Sequence, residues 1–66
     1  MRLVINGENE DLDFSATVGE LLDSLRLARQ RVAVEVNGAL VPRASYDSTA
    51  LNDGDQVEIV TFVGGG

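Results

Sequence analysis

Residues 17–25 read Thr17-Val18-Gly19-Glu20-Leu21-Leu22-Asp23-Ser24-Leu25, and the fold turns on this stretch. Thr17 and Glu20 have the spacing of a capping box: the threonine hydroxyl takes a free backbone N–H, and the glutamate reaches back to the cap. Val18, Leu21, Leu22 and Leu25 then fall at i, i+3, i+4 and i+7, which lines one face of a helix with apolar side chains. Asp23 and Arg26 fall on the other side. The pattern predicts a helix over 15–27, the only one in the chain, and its apolar face needs a sheet to lie on. Arg26, Arg29 and Arg31 gather near its C-terminal end, where the helix dipole favours cations. A solvated helix end explains the trio better than a docking site for an acidic partner.

Upstream of the helix, residues 1–6 are short, β-branched and apolar enough for a strand, and Asn6-Gly7 is a two-residue hairpin turn. Residues 8–14 answer as a half-buried strand, with Leu12 and Phe14 alternating against Asp11 and Asp13. Downstream, residues 32–36 form a strand, Asn37-Gly38 a second hairpin turn, and residues 39–41 a short return strand stopped by Pro42. Residues 43–51 are irregular, with Tyr46 as a satellite core anchor whose hydroxyl needs a hydrogen-bond partner. Asn52-Asp53-Gly54-Asp55 is a turn that launches a last strand over 57–63. There Val57, Ile59 and Thr61 share one face, and Glu58, Val60 and Phe62 the other. Glu58 marks its own face as the wet one, so Val60 and Phe62 are expected to be exposed apolar residues, the mark of a partner surface. The order β-β-α-β-β-β makes an α+β fold: a mixed sheet with one helix packed across one face.

At 66 residues the chain has room for one small domain with a modest core. Eleven acidic residues against five basic ones leave a net charge of −6, which disfavours phosphate backbones and anionic membranes alike. A basic protein partner is the natural complement. With no run of 18 or more apolar residues and no signal-peptide pattern, the chain is expected to be soluble and cytoplasmic.

Cysteine, histidine and lysine are all absent, so no disulfide, no thiolate metal site and no nucleophile–base pair is available. No catalytic residue is therefore assigned, and the chain is not expected to be an enzyme. Asp11 with Asp13, and Asp53 with Asp55, are the remaining carboxylate pairs. A hard-cation site at Asp53 and Asp55 is conceivable, but turn chemistry explains both residues and no metal site is assigned.

After the last strand come Gly64-Gly65-Gly66. Three glycines carry no side chain to pack and are costly to order, so they make a poor structural element. They make a good reactive arm: thin enough for a narrow active site, reaching roughly 13 Å from Val63 at about 3.3 Å per residue, with one carboxylate as the only functional group. A linker-like tail is the alternative. The organisation expected is a domain over 1–63 and a flexible arm over 64–66.

The chain resembles the ubiquitin-like β-grasp group, and within it the ThiS family of sulfur carriers of thiamin biosynthesis. The likeness rests on the opening hairpin around Asn6, Thr17-Val18-Gly19-Glu20-Leu21-Leu22, Val36-Asn37-Gly38 and Val41-Pro42-Arg43. It continues through residues 51–60 and closes on Phe62-Val63-Gly64-Gly65-Gly66. It covers the whole chain with no surplus length. The resemblance implies that a ThiF-like adenylating enzyme uses ATP to convert the Gly66 carboxylate into an acyl-adenylate. Sulfur delivered by proteins of the cysteine desulfurase or rhodanese type then displaces AMP to leave a thiocarboxylate. A ThiG-like thiazole synthase takes that sulfur. The carrier itself binds no cofactor in this scheme; ATP belongs to the adenylating partner. Gly64, Gly65 and Gly66 thread the partner active sites, and Glu58, Val60, Phe62 and Val63 form the partner-binding patch. Carriers for molybdopterin, tRNA thiolation or cysteine synthesis would share the chemistry at Gly66, and a non-carrier ubiquitin-like binding module would not.

Overall fold

The structure is a computed structural model and describes residues 1–62. Its elements run β1 (Arg2–Ile5), β2 (Glu8–Asp11), α1 (Val18–Ser24), β3 (Val32–Val36), β4 (Ala39–Val41) and β5 (Gln56–Thr61), with single 3-10 turns at Arg29–Arg31 and Arg43–Ser45. The five strands form one mixed sheet in the order β2-β1-β5-β3-β4. β1 and β5, from opposite ends of the sequence, pair in parallel; β2 lies antiparallel to β1 on one side, and the β3–β4 hairpin pairs antiparallel with β5 on the other. Helix α1 covers one face, as the residue pattern requires: Val18, Leu21 and Leu22 are fully buried in one cluster with Leu3, Val32, Val34, Val57 and Ile59. Each such aliphatic burial contributes about 2 kcal/mol, so this single layer of contacts carries the stability of a chain without cross-links.

The helix starts as its sequence demands. The Thr17 hydroxyl accepts from the Glu20 N–H at 3.2 Å and a Glu20 carboxylate oxygen accepts from the Thr17 N–H at 2.9 Å. The first two helical N–H groups, which no cap side chain reaches, donate to the Thr49 and Tyr46 carbonyls at 2.9 Å each. The loop after β4 thus finishes the helix N-terminus, and Thr17 forms an isolated bridge with Ala50.

The helix is shorter than the expected 15–27. Arg26 adopts φ 59°, and the chain closes in a Schellman turn: Arg26 N–H donates to Asp23 O at 3.0 Å and Leu27 N–H to Leu22 O at 2.9 Å. Two expectations change in consequence. Leu25, placed on the buried face by its spacing, is the C-cap and 43% exposed, while Leu27 packs against the core after the reversal. The arginine trio does not sit on the last helical turn, and Arg29 is held in ion pairs.

The second strand is also shorter than 8–14. β2 stops at Asp11, and Leu12 exchanges hydrogen bonds with Met1: its N–H donates to Met1 O at 2.7 Å and its carbonyl accepts from the terminal ammonium at 2.6 Å. Leu12 remains partly buried, but the chain bends away from the sheet after it. Phe14 is 45% exposed rather than on a half-buried strand face. Tyr46 belongs to the main core, not a satellite; it is 2% exposed and donates its hydroxyl to Val32 O at 3.3 Å. Among the described residues, no helix is long and apolar enough to cross a membrane.

Candidate functional site

β5 carries the candidate site because it leads into the glycine arm. Its inner side buries Val57 and Ile59; its outer side presents Glu58, Val60 at 58% exposure and Phe62 at 48%. Alternation along a pleated strand produces this split, and the helix occupies only the inner face. The expectations placed on Val63, Gly64, Gly65 and Gly66 concern residues outside the described ones.

Side chains from distant turns fix β5 along its length. The Asn6 carboxamide accepts from the Ile59 N–H at 2.7 Å and donates to the Ile59 carbonyl at 3.2 Å. At the start of the strand, Asn37 accepts from the Gln56 N–H at 3.0 Å through its side chain and donates its own backbone N–H to Gln56 O at 2.7 Å. Past the far end, Phe62 N–H donates to Arg31 O at 2.7 Å. Both asparagines sit at positive φ, 51° and 52°, ahead of glycines at 83° and 85°, so the two hairpin turns serve twice. They reverse the chain, and they tie the site strand. Sequence reading identified the turns and missed the ties. The available signal was that both turns use asparagine, whose amide offers a donor and an acceptor, where aspartate offers acceptors alone.

The aspartates of the 52–55 turn are committed to backbone and amide donors. Asp53 accepts from the Arg2 N–H at 2.6 Å, and Asp55 accepts from the Asn52 N–H at 2.8 Å and from Asn37 Nδ2 at 2.9 Å. Gly54 supplies the φ of 89° that the turn requires. No group of three or more potential metal-ligating side chains occurs among the described residues, and their surface opens into no pocket.

One cluster was not foreseen. Arg29 donates to Asp47 at 2.7 Å and to Asp23 at 3.2 Å, bridging the loop after β4 to the helix. The hydrogen bond from Arg29 holds the Asp47 carboxyl below the ordinary carboxylate range, and the two aspartates, Asp47 first, raise the guanidinium further above its own. Gly19 lies directly beneath: a Cβ there would overlap the Asp47 carboxylate and come within 2.8 Å of the guanidinium. The cluster is solvent-screened and ties the helix to the loop after β4, so it is a brace.

A five-stranded mixed sheet with parallel central strands and one helix across it defines the class: this is a ubiquitin-like β-grasp domain. The ThiS family profile matches residues 3–66, and the chain belongs to that family. Its fold matches the crystal structure of a thiamine biosynthesis protein (ThiS) from Geobacter metallireducens with a TM-score of 0.85 and 42% identity, covering 100% of both chains. The sulfur carrier protein ThiS of Bacillus subtilis is 40% identical over 52 residues, 79% of each chain. A thiazole synthase of Paramagnetospirillum magneticum is 52% identical over 66 residues, all of this chain but 20% of that protein. The chain thus spans one fifth of the length of that relative.

Proposed function

We propose that this chain is a sulfur carrier of thiamin biosynthesis, charged and discharged at the Gly66 carboxyl group. The observation that carries the reading is the ThiS family match, which runs over residues 3–66 and so includes the three glycines after β5. The likeness to one fifth of a thiazole synthase favours the thiamin branch over the other sulfur carriers, and supports a ThiG-like acceptor. In this reading the chain is a protein substrate and not a catalyst.

The chemistry follows from what a carboxylate lacks. Its negative charge and resonance repel nucleophiles. Attack of a Gly66 carboxylate oxygen on the α-phosphorus of ATP releases pyrophosphate and forms a mixed anhydride, which removes both obstacles. Hydrosulfide, freed from the delivery protein's persulfide when a thiol reductant cleaves its S–S bond, then attacks the carbonyl carbon. AMP departs with the bonding pair, and the thiocarboxylate left on Gly66 is a soft nucleophile for the acceptor enzyme. Glycines 64–66 have no Cβ, so unrelated active sites can thread the same arm. No lysine or cysteine of the chain competes for the activated carbonyl. The outward residues Glu58, Val60 and Phe62, with Val63 next in the sequence, give the adenylating enzyme a surface beside the arm.

The test is the intact mass of the chain, with Gly66 as its free end, after incubation with ATP, a ThiF-like enzyme and a sulfur source. A carrier gains the mass of one sulfur less one oxygen, and deleting Gly66 abolishes the gain. No mass change in the intact chain would refute the proposal.

A further inference from the structure

Asn6-Gly7 and Asn37-Gly38 are the steps of this sequence most open to spontaneous deamidation, because glycine puts no side chain in the way of its own backbone nitrogen. In that reaction the glycine nitrogen attacks the asparagine Cγ, and its proton passes to the amide nitrogen, which leaves as ammonia. Water then opens the succinimide at either carbonyl, to aspartate or to isoaspartate. The two turns share one backbone geometry, with asparagine φ of 51° and 52° and glycine φ of 83° and 85°, and both asparagines are exposed. Local conformation therefore does not separate them. The grip on each carboxamide does. Asn6 is held at both ends by Ile59, whose release would leave the N–H and carbonyl of a buried residue without partners. Asn37 accepts from the N–H of Gln56, an exposed residue at the start of β5, and donates Nδ2 to the Asp55 carboxylate at 2.9 Å. Water replaces the Asn37 amide at these groups at little cost.

We infer that Asn37-Gly38 is the deamidation site of the folded chain, that Asn6-Gly7 is spared, and that the product unties the start of β5. The leaving nitrogen of Asn37 is the donor to Asp55, so deamidation puts a second carboxylate against one that also accepts from the Asn52 N–H. At this separation two carboxylates repel each other strongly. Isoaspartate further adds a backbone methylene to a two-residue turn whose φ angles are already set. The chain, at a net charge of −6, gains one more negative charge. β5 leads into residues 63–66, so the modified turn weakens the strand that carries the candidate site. Nothing in this requires Gly66 to carry sulfur.

Ageing of the full chain at mildly alkaline pH, below its thermal midpoint, tests the assignment. Aspartate and isoaspartate at each position are read by peptide mapping after digestion in acid. Product at residue 37 is expected to exceed product at residue 6 by at least about tenfold, a ratio set by the difference in local opening. In unfolding concentrations of urea the two rates are expected to converge to within about twofold, since both are then unheld Asn-Gly steps. Equal rates in the folded chain, a faster Asn6, no product at residue 37, or the same excess in urea overturns the inference. The consequence is read from Asn37→Asp alone and combined with Asp55→Asn. The single change is expected to lower the thermal midpoint by at least about 4 °C. The double change re-forms the amide–carboxylate pair with the roles exchanged, and is expected to recover most of that loss. An unchanged midpoint in Asn37→Asp, or a loss that Asp55→Asn does not repair, overturns the untying of β5.

Discussion

The carboxamide of Asn6 and the backbone of Ile59 form a two-way hydrogen-bonded pair, 2.7 Å in one direction and 3.2 Å in the other. The parallel ladder between β1 and β5 runs through Ile5 and Val57, and β1 then turns away at Asn6. Its side chain takes the place of the next backbone residue and carries the pairing one step further. Asn6→Ala removes both hydrogen bonds and puts a residue with a Cβ but no local hydrogen bond at φ 51°. We expect a loss of about 2 kcal/mol in urea unfolding, with Asn6→Asp intermediate because it keeps only the acceptor.

Acid should loosen the Arg29 brace. The Asp47 carboxyl sits below its ordinary range because Arg29 donates to it, so its contribution is complete at neutral pH. That contribution is lost as pH falls through the lowered folded-state value, below about pH 4. Asp47→Asn should flatten the acid side of a plot of the urea midpoint against pH. Gly19→Ala should flatten it too, since the added methyl displaces the same two side chains. A full acid dependence in Gly19→Ala would show that the brace re-forms around it.

Arg26 occupies the left-handed C′ position of the Schellman turn, where glycine avoids the steric cost of a Cβ. Arg26→Gly should therefore raise stability by about 1 kcal/mol, offset in part by the freedom glycine gains when unfolded. The thermal midpoint by circular dichroism reports it, and a lower midpoint would mean that the arginine stem contributes packing.

Phe62 is 48% exposed, and its backbone N–H, which any residue but proline supplies, donates to Arg31 O. Phe62→Asp should leave the far-ultraviolet circular dichroism and the thermal midpoint nearly unchanged while raising the KM of adenylation several-fold. A collapsed spectrum would place Phe62 in the core.

Short-range chemistry was readable along the chain. The Thr17–Glu20 capping box, the Asn6-Gly7 and Asn37-Gly38 reversals and the Gly54 turn each depend on residues within four positions of one another. So does the alternation of Val57 and Ile59 against Glu58 and Val60. Local rules failed where an element ended. Nothing in the periodicity of Val18, Leu21, Leu22 and Leu25 tells that Arg26 will reverse the chain and hand the last buried place to Leu27. Nothing in the alternation of 8–14 tells that Leu12 will pair with Met1 and leave Phe14 outside.

Bonds between residues far apart in the chain were settled by packing. Val4 beside Gln56, Asn6 on Ile59, Arg29 between Asp23 and Asp47, and Glu35 facing Glu58 arise because the helix must cover one face of one sheet. That requirement brings both ends of the chain to its centre. Hydrogen-bond and capping preferences act over a few residues and are written locally. Which strand lies beside which depends on the whole apolar surface being buried at once, and no single stretch contains that information.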